Sequence, residues 1–183
     1  MKTPRLLLLC VAVLLTASLH AQQYKLSDDH SKVQFTVVNH LIFKTTVNGY
    51  FKGLKGTVTF DPKQLSSASV HATVNVSTIS TGIGKRDRDL QDEDYFNAAK
   101  YPTMELRSLK VTATDKPNTY QMTAALTIKG ISKNISFPFT AVLTPPGCQL
   151  NATFAINRKD FNVGPDNPID DKVTVTLSAL ATK

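Results

Sequence analysis

The chain has 183 residues and a formal net charge of +7, from 21 Lys and Arg against 14 Asp and Glu. The basic residues are scattered and form no long run, which argues against a nucleic-acid-binding surface. Two cysteines, Cys10 and Cys148, are too few for a disulfide framework or a cysteine-based metal site.

The N-terminal residues predict a secretory signal peptide over residues 1–21. Lys2 and Arg5 form a short basic start, and residues 6–15 form an uncharged apolar run. This run is shorter than the roughly 20 residues that span a bilayer, and Ala21 suits the position before a cleavage site. We therefore expect a periplasmic or secreted protein.

Cleavage would leave one domain over residues 22–183. Loss of Lys2 and Arg5 leaves 19 basic and 14 acidic residues, a net charge of +5. This mild charge is compatible with a transient contact with an anionic membrane surface, without being specific for one. Only Cys148 would remain, so no internal disulfide could form.

Period-two alternation of apolar and polar residues dominates this domain and predicts β-strands with one apolar face. The alternation breaks in the run that begins at Met104, which indicates a bulge. The predicted strands cover residues 33–37, 46–51, 58–60, 70–77, 104–113, 120–129, 135–143, 148–156 and 173–179.

Short turns rich in Pro and Gly separate these strands and favour antiparallel neighbours. The clearest turns are Asp61-Pro62, Lys116-Pro117-Asn118, Lys129-Gly130 and Pro145-Pro146-Gly147. One helical segment is predicted between Ile83 and Ala99, before Pro102. The pattern predicts an all-β domain, but it does not distinguish a sandwich from a closed barrel.

The chemistry-bearing residues do not form a recognisable catalytic or metal-binding pattern. His30, His40 and His71 lack a ligand spacing, so neither a metal nor a cofactor is predicted. We expect His30 and Ser31 to fix the start of the first strand by hydrogen bonds instead. With no Gly-x-Ser-x-Gly motif and no cysteine beside a base, we predict that the protein is not an enzyme. Cys148 belongs to an apolar alternating face and is predicted to be a buried thiol.

The charged run Arg86-Asp87-Arg88-Asp89 has two interpretations. It could hold the polar head of a ligand, or it could be a solvated helix surface with local salt bridges. Charged clusters are common on solvated helix faces, so the second interpretation is favoured.

A series of short motifs runs along most of the domain. They are Asp29-His30-Ser31-Lys32-Val33-Gln34-Phe35, Val47-Asn48-Gly49-Tyr50-Phe51, Arg86-Asp87, Tyr101-Pro102, Leu126-Thr127-Ile128-Lys129-Gly130-Ile131-Ser132-Lys133, Arg158-Lys159-Asp160-Phe161 and Asp171-Lys172-Val173. In their order and spacing, the sequence resembles the YceI-like family of exported proteins. Tyr24, Asp89 and Ala124 depart from the family, which often has Trp, His and Gly at these places.

This resemblance implies a lipocalin-like, antiparallel eight-stranded β-barrel with one short helical segment. It also implies that a polyisoprenoid or a similar long-chain amphiphile is carried or stored in an apolar pore. The alternating faces would equally line a filled core, so a non-enzymatic partner-binding module is the alternative. The oligomeric state is not predicted. The residues predicted to contact the ligand are Phe35, Phe60, Val74, Tyr120, Met122, Phe137, Phe139, Phe154 and Ile156.

Overall fold

The computed structural model describes residues 22–40 and 42–183. The predicted signal peptide, residues 1–21, therefore lies outside the described residues. One α-helix, α1 (Gly84–Asp89), is accompanied by short 3₁₀ helices at Leu65–Ser67, Val76–Thr78 and Arg158–Phe161. The strands are β1 (Gln23–Asn39), β2 (Thr45–Phe51), β3 (Lys55–Thr59), β4 (Ser69–Asn75), β5 (Thr103–Ala113), β6 (Thr119–Ile128), β7 (Ile131–Thr144), β8 (Gly147–Asn157) and β9 (Lys172–Thr182).

The strands close into one barrel. From β3 to β9 each strand pairs antiparallel with the next, and β9 pairs with β1 through partners such as Phe35 and Val175. Both β2 and β3 pair with β1, β2 along its second half and β3 at its start, so they are two halves of one interrupted strand. The result is the predicted fold class, a closed eight-stranded antiparallel β-barrel with one short helix, which is confirmed.

The interruption between β2 and β3 has a counterpart in β1. The register of β1 against β9 shifts between Leu26 and Ser31. Across from this shift, Gly53 adopts a left-handed backbone with φ of 75°, and the Leu54 amide donates to Asp28 Oδ1 at 3.1 Å. The broken alternation explains why the sequence predicts only residues 33–37 of a much longer strand.

The prediction that His30 and Ser31 fix the start of the first strand is wrong. The strand begins at Gln23, and Ser31 lies where pairing with β9 resumes after the irregular stretch. Its Oγ is buried and has no hydrogen-bond partner among the described residues.

The predicted helix between Ile83 and Ala99 is much shorter than expected. After α1 the chain turns back on itself, since the Phe96 amide donates to the Leu90 carbonyl and the Ala98 amide donates to the Gln91 carbonyl. Asn97, which lies beyond the end of α1, takes a positive φ of 48°, which is incompatible with a helix that continues to Ala99. In β5, by contrast, the predicted bulge is confirmed by a register shift between Ser108 and Lys110.

The two ends of the barrel differ in what covers them. The β1–β2 loop, α1 with the turns after it, and the β8–β9 loop lie at one end, which we call the cavity end. The β3–β4, β5–β6 and β7–β8 connections lie at the other end, which we call the packed end. Within the described ranges, no helix is long and apolar enough to cross a membrane.

Candidate ligand cavity

An elongated cavity of about 270 Å³ lies inside the barrel. Its wall is formed almost wholly by apolar side chains from the strands, and it reaches the loops of the cavity end. Seven of the nine residues predicted to contact a ligand line it. These seven are Phe35, Val74, Met122, Phe137, Phe139, Phe154 and Ile156.

The other two predicted residues, Phe60 and Tyr120, lie in the packed end. Their rings meet edge to face with centroids 5.0 Å apart, and each is at most 8% exposed. The Tyr120 ring also lies 5.7 Å from that of Phe139, which lines the cavity. Alternation along a strand predicts which side chains point inward, but it does not predict their depth in the barrel.

Aromatic contacts set the shape of the cavity wall. Phe137 and Phe154 stack with centroids 4.2 Å apart and an angle of 18° between their planes. Phe35 packs against Phe51 at 5.5 Å. A side chain on Gly49 would collide with the ring of Phe35, so this glycine makes room for Phe35 to lie over β2.

Two segments complete the wall at the cavity end. The turns after α1 contribute Leu90, Tyr95 and Phe96, and Phe96 meets the Phe51 ring edge to face at 5.7 Å. The β8–β9 loop contributes three further apolar residues, and Asn167 Nδ2 in this loop donates to the Tyr95 hydroxyl at 3.3 Å. The three residues are Phe161, Val163 and Ile169.

Arg158 organises the β8–β9 loop from within. It is only 7% exposed, and its guanidinium donates to the carbonyls of Val163 at 2.8 Å and Ile169 at 3.2 Å. It also bonds Asn167 Oδ1 at 3.2 Å and forms an ion pair with Asp171 at 3.1 Å. A buried cation requires such partners. Sequence reasoning assigned no role to Arg158, because a lone Arg in a charged run is typical of the surface.

The charged run Arg86-Asp87-Arg88-Asp89 is interpreted either as a contact for the polar head of a ligand or as a solvated helix surface, and its residues differ in which role they fit. Half-buried Arg86 lines the cavity, and its Nε and Nη2 donate to the hydroxyl and carbonyl of Thr81 at 2.7 and 3.0 Å. Asp87 accepts from the Thr81 amide at 2.8 Å, whereas Lys85 and Asp89 form an exposed pair at 2.8 Å. Lys85 and Asp89 therefore belong to a solvated surface, in line with the favoured interpretation, and the alternative of head-group contact applies only to Arg86, which lines the cavity.

A layer of buried side chains fills the barrel below the cavity. We call it the packed layer. Its members are at most 8% exposed and come from β1, from β3 and the residue after it, and from β5 to β9. They are Tyr24, Val58, Phe60, Val111, Tyr120, Ala141, Cys148 and Ala181.

Burial raises the pKa of two side chains in the packed layer, Cys148 and Tyr24. Cys148 is fully buried, which confirms the predicted buried thiol, and burial raises its pKa from 9.0 to about 11. Burial also raises the pKa of Tyr24, helped by the nearby charges of Cys148 and Asp61 in their ionised forms. Among residues 22–40 and 42–183, no cluster of three His, Cys, Asp or Glu could hold a metal ion.

A closed antiparallel barrel of eight strands around an apolar cavity defines a lipocalin-like β-barrel. The YceI-like domain model matches residues 24–181, and the chain belongs to this family, which confirms the resemblance. The chain is also 30% identical over 174 residues to Protein YceI of Salmonella newport (strain SL254). That alignment covers 89% of this chain and 88% of the relative.

Two solved structures have the same barrel. The crystal structure of Burkholderia cenocepacia BcnA matches with a TM-score of 0.79 and 25% identity, over 86% of this chain and 99% of that chain. A polyisoprenoid binding domain from Saccharophagus degradans, implicated in plant cell wall breakdown, matches with a TM-score of 0.72 over 87% and 97% of the two chains. Its identity is 15%, so this likeness shows the fold alone.

Proposed function

We propose that the protein is an exported carrier or store for a long-chain apolar molecule, a polyisoprenoid or a similar amphiphile, held inside the barrel. The apolar cavity of about 270 Å³ is the observation that carries the proposal. The relative from Saccharophagus degradans, named for polyisoprenoid binding, supports this choice of ligand class.

The energetics of such binding are favourable. If a methylene group takes about the 30 Å³ of a liquid water molecule, the cavity holds on the order of ten of them. Burial of each is worth about 0.8 kcal/mol. Ten would give roughly 8 kcal/mol before ordering costs, which corresponds to a Kd near micromolar. A longer chain would leave part of its length outside the cavity.

The proposal describes a binding protein and not an enzyme. The cavity wall is apolar, and its two arginines already have structural partners, Thr81 for Arg86 and the β8–β9 loop for Arg158.

The alternative, a partner-binding module with a filled core, fits the packed end but not the cavity end. Native mass spectrometry of freshly purified protein discriminates between the two. A carrier should retain an apolar passenger that organic solvent extracts in near-stoichiometric amount. Protein that carries no passenger and takes up no long-chain alcohol would contradict the proposal.

Export and membrane contact are further parts of the proposal. Removal of residues 1–21 would give a mature N-terminus at Gln22, which N-terminal sequencing of periplasmic or secreted material tests. Ile42 and Phe43, each 79% exposed, extend from the β1–β2 loop at the cavity end. Their exposure supports a transient contact with a membrane from which a passenger could be loaded.

A further inference from the structure

The cavity has a definite lower boundary. On β9, Val173, Val175, Leu177 and Ala179 line it, but Ala181, two residues further, belongs to the packed layer and is fully buried. On β8 the same change occurs between Leu150, which lines the cavity, and Cys148, which is fully buried. Neighbouring strands therefore place the floor at the same level.

The floor is built from matched large and small side chains. Three consecutive strands, β7 to β9, contribute the small residues Ala141, Cys148 and Ala181. Three aromatic rings from other strands, two of which flank this group, complete the layer beside these small residues. The rings are those of Tyr24, Phe60 and Tyr120.

We infer that this packed layer sets the longest chain that the cavity accepts, with Tyr120 as the residue that limits its depth. The inference rests on the proposed function and deepens it. Tyr120 does not line the cavity, but its ring lies 5.7 Å from that of its cross-strand partner Phe139, which does, and meets the ring of Phe60 edge to face at 5.0 Å. An apolar tail that reaches Phe139 meets these rings and cannot descend further, because close-packed interiors leave no room for an added methylene.

The test is a series of straight-chain primary alcohols bound to the purified protein after any passenger has been washed out, with Kd measured by calorimetry. Each added methylene that enters the cavity should lower Kd about fourfold. Once the tail touches the floor, further methylenes stay outside and the trend should break. The chain length at this break measures the depth of the cavity.

Two variants should move the break in opposite directions. Tyr120→Leu removes the ring beside Phe139 and should shift the break to longer alcohols. Ala179→Leu fills space directly above the packed layer and should shift it to shorter ones. Thr176→Leu is the matched control, since it enlarges a side chain on the same strand but on the exposed outer face, away from the cavity wall, and it should leave the break in place.

The possible failures are distinguishable. The thermal midpoint of each variant shows whether it folds, and Ala179→Leu tests the inference even if Tyr120→Leu does not. A break that stays at the wild-type chain length in the folded variants would overturn the inference while leaving the carrier function intact. If no alcohol binds the wild-type protein, both the proposed function and the inference fall.

Discussion

Phe139 is the residue at which cavity and packed layer meet. It is 4% exposed, lines the cavity and contacts the ring of Tyr120. Phe139→Leu should preserve the fold but change the amount or the chain length of extracted passenger, because it alters the cavity wall. In a filled core the same change would only create a void and lower stability. Lost stability with no passenger in either protein, judged by thermal midpoint and extraction, would contradict the carrier.

Cys148 gives the packed layer a pH dependence. Its pKa is raised from 9.0 to about 11, so the unfolded thiol loses its proton at a lower pH than the folded one. The neutral Cys148 thiol therefore contributes to the free energy of unfolding fully below about pH 9, and this contribution is lost as pH rises towards about 11. Cys148→Ala should therefore lose less stability than wild type over this window, in urea unfolding at stepped pH. Parallel curves for the two proteins would contradict the burial of the thiol.

Native thiol labelling provides an independent control for this residue. Because the thiolate is the reactive form, a fully buried thiol with a raised pKa should react slowly in the folded protein and rapidly in urea.

At the scale of single elements, the β8–β9 loop depends on Arg158. Arg158→Met would leave the carbonyls of Val163 and Ile169 without their donor. The expected loss of stability is on the order of 2–3 kcal/mol, with faster proteolysis of the loop. Lys159→Met is the matched control, since its pair with exposed Asp166 is screened by solvent and should contribute little. Equal effects of both substitutions would contradict the role assigned to Arg158.

The β1–β2 loop is the element proposed to contact a membrane. Replacing both Ile42 and Phe43 by Ser should reduce binding to lipid vesicles by at least about tenfold, because two large apolar side chains no longer enter the bilayer surface. Uptake of a long-chain alcohol from vesicles should slow accordingly. Leu109→Ser is the control, since Leu109 is 58% exposed but lies at the bulge of β5. Unchanged vesicle binding in the double variant would contradict membrane contact.

Elements were predictable where their periodicity is regular. The strand β6 alternates without a break and β8 does so from Leu150 onward, and the sequence predicts both closely. In β1 the irregular stretch between Leu26 and Ser31 interrupts the alternation, so the sequence pattern does not predict the first half of the strand. The predicted helix is too long because its apolar residues Leu90, Tyr95 and Phe96 serve the cavity wall from turns, a tertiary arrangement that local sequence does not encode.

For the whole molecule, alternation predicts an apolar interior but not its division into cavity and packed layer. Whether an interior is filled depends on how side chains of different sizes meet across the barrel. Tyr120 and Phe154 both occupy inward-facing positions of the alternating pattern. Tyr120 nevertheless belongs to the packed layer, whereas Phe154 lines the cavity. The motifs that carry the family resemblance predicted the closed barrel, which the periodicity alone could not.

In the proposed carrier, a passenger bound in the cavity should stabilise the whole barrel against unfolding. The barrel is one closed sheet, so unfolding should be cooperative and ligand bound only to the folded state should raise the thermal midpoint. At a free ligand concentration of about one hundred times Kd the gain is about 2.7 kcal/mol, or roughly 5–10 °C for a domain of this size. Solvent-extracted protein should melt lower than freshly purified protein, and a long-chain alcohol should restore the difference in a concentration-dependent way. A short-chain alcohol at the same concentration is the control for solvent effects. A thermal midpoint that does not change with the concentration of the long-chain alcohol would show that the cavity does not bind it.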